Sequence, residues 1–156
     1  MRRKDREITD IAVIEGIIHR CYCCRLGFNV PDGAYIVPLN FGWCKENGSY
    51  VFYFHGAHEG RKIDLIKSGG KVGFEMDCGY ELHPSDNAWE CTAAFSSIIG
   101  TGTAAIVADT EEKRLGLELI MQHNTGRSGW EIKDAMLQQV CVFKLVVDTL
   151  SCKVHL

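Results

Sequence analysis

The chain has 156 residues, 46% hydrophobic and 24% charged, which suits one domain spanning 1–156 around a single sizeable core. Its net charge of −3 with His neutral supplies no basic field for nucleic acid. The segment MRRKDREITD is locally basic, but no apolar run of signal-peptide or membrane-span length follows it, so the expectation is a soluble cytoplasmic protein without a membrane partner.

Thr9 to Arg20 reads as a helix capped by Thr9 or Asp10, because Ile11, Ile14, Ile17 and Ile18 fall at helical spacing. Strand candidates follow at Tyr22–Val30, Tyr35–Trp43 and Ser49–His55. PDGA separates the first pair and KENG the second, and two consecutive hairpins predict an antiparallel meander. A short helix over Glu59–Lys67 ends at Gly69-Gly70, and Val72–Asp77 is a further strand. Cys78 to Asn87 reads as a polar, irregular connection. Ala88 to Ala108 reads as a long or bent strand, with Gly100 and Gly102 marking a bulge or close backbone approach. Asp109 and Glu112 have capping-box spacing at the start of a second long helix, which ends near His123-Asn124-Thr125-Gly126. A short helix near Trp130–Leu137 and strands Val140–Val147 and Ser151–Leu156 complete an α+β chain dominated by antiparallel sheet that closes into a small barrel.

Eight cysteines without a secretory signal read as reduced thiols. Cys21-Tyr22-Cys23-Cys24 contains one CxxC, but no second pair completes four metal ligands, and no metal is expected. If CYCCRLGFNV is strand, Cys21 and Cys23 share one face and Cys24 takes the other.

The stretch FYFHGAHEGRKIDLI passes from an aromatic strand through a small-residue corner into a basic helix start. Such a corner presents backbone N–H groups and the positive end of a helix dipole. Gly56, Ala57 and Gly60 permit close approach of an anion, and Arg61 and Lys62 supply countercharge suited to phosphate. Neither GxxxxGK[ST] nor GxGxxG is present. On its own, the pattern more often marks a solvated basic face.

Taken with VPLNF (Val37–Phe41) before it and CTAAFSSIIGTGTA (Cys91–Ala104) after it, the corner resembles the FMN-binding split barrels related to pyridoxamine 5'-phosphate oxidase. More narrowly it is similar to the Nim type, associated with 5-nitroimidazole resistance. The resemblance runs from about Ile11 to Val154. It implies a mostly β (α+β) fold: a six-stranded antiparallel Greek-key split barrel with flanking helices. It also implies FMN, or FAD in its place, bound between two copies of a homodimer. Pro38, Leu39, Asn40 and Phe41 would lie along the isoalloxazine edge, with His55, Gly56 and Ala57 beside the flavin. Gly60, Arg61 and Lys62 would sit at the ribityl phosphate, with Ser97 as a further hydroxyl. Phe95-Ser96-Ser97 departs from the family's frequent Tyr-Arg-Ser, which places more of the countercharge on Arg61 and Lys62. No convincing set of substrate-phosphate arginines or the usual C-terminal motif marks a true pyridoxamine-phosphate oxidase.

The implied function is an FMN-dependent oxidoreductase, passing electrons from a reduced nicotinamide or another donor to a small acceptor such as a nitroimidazole or other nitroaromatic. The alternative is a flavin- or haem-binding module that senses or stores without turnover. For His55 two roles stay open: proton donor during reduction, or a residue that only positions flavin. His58 reads as an exposed corner residue and His123 as a helix C-cap. Trp89 and Trp130 suit a flavin cover, a dimer contact or core packing.

Overall fold

The computed structural model describes residues 4–155; Met1–Arg3 of the basic segment and Leu156 of the expected last strand lie outside the described residues. After a 3-10 turn at Lys4–Arg6, the short β1 (Glu7–Ile8) leads into α1 (Ile11–Arg20). The β2 (Cys24–Val30) and β3 (Gly33–Leu39) strands form one hairpin, and β4 (Gly42–Glu46) and β5 (Ser49–Gly56) form another. Then come α2 (Arg61–Ser68), β6 (Lys71–His83), β7 (Thr92–Ile106), α3 (Thr110–Thr125), α4 (Asp134–Leu137) and β8 (Cys141–His155). The expected N-caps hold. Asp10 accepts from the Val13 amide, Asp109 accepts from the Glu112 amide, and Gly126 ends α3 at φ 70°.

The sheet runs β3-β2-β6-β7-β8-β5-β4, with β1 added on β8, and every pairing is antiparallel. This is the expected mostly β barrel with flanking helices, but its main path has seven strands where six were expected. The predicted strand Tyr35–Trp43 breaks at Asn40-Phe41, and its two halves pair with different neighbours. The meander is therefore corrected to two hairpins at opposite ends of the path, joined by those two residues. Asn40 Nδ2 fixes the break by donating to Tyr22 O (2.9 Å) and Asn124 Oδ1 (3.1 Å).

Three other expectations change. Segment 78–83 is strand, because Glu81, Leu82 and His83 pair with Ala94, Ala93 and Thr92 past a bulge. The last two strands are one continuous β8, whose register against β7 shifts between Thr101 and Gly102. Residues 21–23 link α1 to β2, so Cys21 and Cys24 are both buried in the same core while Cys23 is half-buried.

Two apolar cores lie on the two sides of the sheet. The larger fills the barrel with Phe28, Phe41, Phe52, Phe54, Phe74 and Phe143, and is stoppered by Ile14, Ile17 and Ile18 of α1 and Ile63 and Ile66 of α2. The smaller joins α3 to the outer face through Val51, Tyr53, Val107, Ile120 and Val142. β5 is buried on both faces from Val51 to Phe54, which explains its unbroken apolar run. α3 lies close enough that a Cβ on Gly42 would fall 2.3 Å from the Ile120 amide nitrogen. No helix is long and apolar enough to cross a membrane among the described residues.

Candidate functional site

The corner begins where β5 ends. Gly56 pairs with Cys141 of β8, and the chain turns through Ala57-His58-Glu59 to Gly60. Gly60 stands at φ 121° and ψ 163°, a conformation that L side chains rarely adopt. It is the N-cap of α2, and its carbonyl accepts from the amides of Ile63 (2.9 Å) and Asp64 (3.2 Å). No side chain caps this end, so the first-turn amides of Arg61 and Lys62 have no side-chain acceptor. His58 fixes the corner from outside through Nε2, 3.0 Å from the Gln138 carbonyl.

The two cations diverge from the helix start. The Lys62 ammonium lies over Gly56: a Cβ there would be 3.0 Å from both Cε and Nζ. The Arg61 guanidinium lies 4.8 Å from the centre of the Tyr35 ring on β3. Neither forms an ion pair among the described residues. Burial pushes the Cys141 thiol up, while Lys113, Lys67 and Lys62 pull against it, so several cations focus positive potential on this end of β8. The corner thus offers free backbone donors, a glycine floor and two uncommitted cations, the equipment of an anion site.

Not all the expected site residues join it. His55 is exposed on the outer face of β5, two residues beyond Tyr53, while Gly56 and Lys62 lie toward the barrel interior. Exposed Pro38 lies on edge strand β3 opposite Arg25, and half-buried Leu39 packs against the barrel core. Tyr35, three residues before Pro38, carries the contact between this strand and Arg61. Asn40 and Phe41 turn away, toward the end of α3. Phe41 is fully buried against Phe52 and His123, and its carbonyl accepts from Asn124 Nδ2 at 3.0 Å. Ser97 pairs with Asp77 and Lys153 near the far end of β7. The His55–Val142 row meets this strand at Val107, ten residues away, on the order of 30 Å along the strand. One chain does not bring Ser97 to the corner.

His123 is not the cap of α3; Gly126 is. The imidazole is buried, and Nε2 lies 2.7 Å from the Cys21 carbonyl, which can only accept. Nε2 therefore carries the proton, and the buried Nδ1 is an acceptor without a hydrogen-bond partner among the described residues. Burial first, and His19 nearby, hold this histidine below its usual titration range. Trp89 is 94% exposed on the β6–β7 loop, whereas Trp130 is half-buried with Arg127 4.7 Å over its ring.

Sequence reasoning missed a polar cluster beneath the N-terminal end of α3. Tyr53 Oη, with one proton to donate, lies 3.0 Å from Glu112 Oε1 and 3.2 Å from Glu46 Oε1, while Lys144 pairs with Glu112. Burial and these carboxylates push the Tyr53 hydroxyl pKa up. Burial and Glu46 push the Cys44 thiol up to about 11. The one legible signal was Glu112 at capping-box spacing; its reach to Tyr53 depends on how α3 crosses the sheet.

Comparison with known proteins places the fold in a family. Residues 10–154 match the family model described as pyridoxamine 5'-phosphate oxidase. A crystal structure of a candidate 5-nitroimidazole antibiotic resistance protein from Bacteroides thetaiotaomicron is similar with 30% identity and a TM-score of 0.80, covering 95% of this chain and 86% of that one. The flavocytochrome Anf3 from Azotobacter vinelandii shares the fold at TM-score 0.79 and 18% identity, over 100% of this chain and 72% of its own. A FAD and heme binding protein from Mycobacterium smegmatis does so at TM-score 0.75 and 13% identity, over 96% and 73%. None of the curated proteins matches the chain.

Proposed function

Because the chain belongs to the pyridoxamine 5'-phosphate oxidase family, we propose that its corner binds a flavin and that the protein is a flavin-dependent oxidoreductase acting on a small acceptor such as a nitroimidazole. The observation that carries this reading is the start of α2, with Lys62 over Gly56 and, among the described residues, no side-chain cap and no carboxylate partner for Arg61. The donor set fits a phosphate ester: two amides, a glycine floor and two cations make an oxyanion cradle. FMN is the smallest flavin that such a cradle selects.

When bound, the flavin supplies reversible hydride and electron transfer, taking electrons from a donor such as a reduced nicotinamide. The chain's own residues do the rest. Lys62 and the first-turn amides anchor the phosphate. The β3 segment Pro38–Leu39 borders the flavin, reached through the Arg61–Tyr35 contact. His55, exposed on the outer face of β5, delivers a proton from a ring nitrogen to the acceptor. Reduction of a nitro group to nitroso consumes two electrons and two protons and releases water, so a proton donor beside the acceptor has work to do.

Ser97 and His55 both lie on the outer face of the sheet, far apart along one chain. A homodimer that sets two outer faces together allows Ser97 of one copy to approach the corner of the other, which supports a flavin held between copies. The outer face beside Ser97 is suited to contact: it carries exposed Ile36 and Ile99 and a shallow trough of about 380 Å³ floored by Gly27 and Gly73.

The test is anaerobic mixing of the flavin-loaded protein with reduced nicotinamide and then a nitroimidazole. Bleaching of the flavin, followed by reoxidation with loss of the nitro chromophore, is expected. Absence of both in a flavin-loaded protein contradicts the enzymatic reading and leaves a flavin carrier; a haem spectrum replaces both. His55→Ala should retain flavin but lose roughly 100-fold in turnover, the scale of a general acid. Loss of flavin binding instead would make His55 a positioning residue.

A further inference from the structure

Where the end of α1 meets the last turn of α3, one buried polar atom lacks a partner. His123 is 7% exposed, and its Nδ1 has no hydrogen bond among the described residues. Leaving a buried acceptor unmatched is costly, so such an atom calls for an explanation. The rest of the ring is held in place. Nε2 donates to the Cys21 carbonyl at 2.7 Å, and the ring centre lies 4.5 Å from that of Phe41. A ring N–H donated to a backbone carbonyl fixes the tautomer and aims the other nitrogen's lone pair. Metal-binding histidines are oriented by this kind of contact.

A second imidazole stands beside the first. His123 lines a cavity of about 180 Å³ with His19, Trp43, Leu119 and Gln122. His19 is exposed in the last turn of α1, with its ring centre 5.8 Å from that of His123 and its plane at 84° to it. Two imidazoles sharing a tetrahedral ion, with metal–nitrogen bonds of about 2.0–2.1 Å, have ring centres roughly 5–6 Å apart. An edge-to-face pair of rings has a similar spacing but leaves Nδ1 unmatched, whereas a shared ion matches it. Nδ1 is screened from solvent, and a metal ion approaches about 0.8 Å closer than a hydrogen-bonded water does. His19 has no hydrogen bond among the described residues, so its ring is free to turn a nitrogen to the ion. The protein supplies few further ligands. Among the described residues no group of three or more His, Cys, Asp or Glu could hold a metal ion, which leaves the exposed Gln122 amide oxygen and water to complete the shell. A neutral pair of imidazoles suits zinc, nickel or copper, and not magnesium or calcium, which take oxygen ligands.

We propose that His19 and His123 Nδ1 bind one divalent ion of the zinc–nickel–copper group, tying the end of α1 to α3. None of these residues belongs to the flavin corner, so the site stands or falls apart from the reading above. Full-length protein, stripped with a chelator, is titrated with Zn²⁺ by calorimetry. One ion per chain with micromolar affinity is expected, and because the ion binds only the folded chain, saturating zinc should raise the unfolding temperature. His19→Ala, at an exposed position, should weaken zinc binding roughly tenfold or more while the metal-free unfolding temperature stays in place. His123→Gln, which keeps a donor for the Cys21 carbonyl, should also lose the ion. Long-range ¹H–¹⁵N spectra of the imidazoles separate ligation from structural support: on zinc saturation the His123 Nδ1 signal should move far more than the Nε2 signal. Absence of zinc binding, an Nδ1 signal that does not move, or zinc affinity that survives in both variants, as the thiols would give, overturns the proposal.

Discussion

The α2 corner and the seam where α3 meets the barrel are both rich in polar groups, but they use them in opposite ways. At the seam nearly every group is committed. Asn40 and Asn124 tie three backbone carbonyls together, His123 holds the Cys21 carbonyl, and Tyr53, Glu46, Glu112 and Lys144 form one cluster. At the corner, among the described residues, the helix start has no side-chain cap and Arg61 and Lys62 have no carboxylate partner. Buried polar groups that satisfy one another specify a fold, whereas uncommitted charge at a built cradle awaits a ligand. The contrast predicts that damage at the seam is read in stability and damage at the corner in binding.

The largest expected effect on binding comes from Arg61→Ala with Lys62→Ala. Charged hydrogen bonds contribute about 1.5–3 kcal/mol each, less when exposed, so the pair should weaken flavin binding by roughly 2–5 kcal/mol. Urea unfolding of the apoprotein should barely change. At the seam, Phe41→Ala removes a fully buried ring and should cost about 3–5 kcal/mol of stability in the same urea experiment. Flavin affinity of the folded fraction should stay within a few fold, since the Phe41 side chain faces the core and not the corner.

A smaller, pH-dependent effect should come from His123. Burial lowers its pKa in the folded state, so the unfolded chain binds the proton more readily. Its contribution to stability is complete above its unfolded pKa of about 6.5 and is lost as pH falls from there through the lower folded value. His123→Gln keeps a donor for the Cys21 carbonyl without the titration. Chemical denaturation between pH 7.5 and 5 should show a shallower acid decline for this variant, and an unchanged slope would remove His123 as its source.

The sequence was most legible where structure is local. Asp10, Asp109 and Asn47-Gly48 act within a few residues of themselves, and each is found at its expected cap or turn. The corner was legible for the same reason: strand, glycine, cap and cations are contiguous. What could not be read depended on distant partners. Asn40 breaks a strand because Asn124, 84 residues later, takes its amide. Glu81–His83 are polar enough to read as loop, yet become strand because Thr92–Ala94 pair with them. The Val147–Leu150 stretch carries the turn-forming Asp148, but β7 absorbs it as a register shift in one long strand. Ser97 illustrates the converse: its place in a motif said nothing of its separation from the corner along β7.

The most direct test of the flavin corner is a two-dimensional amide NMR titration of the apoprotein with FMN. The backbone signals of Gly56, Gly60, Arg61 and Lys62 should move most and saturate together, while those of His123, Asn124 and Ile120 stay in place. Saturable shifts centred on the α3 seam, with Gly60–Lys62 unmoved, would contradict the account.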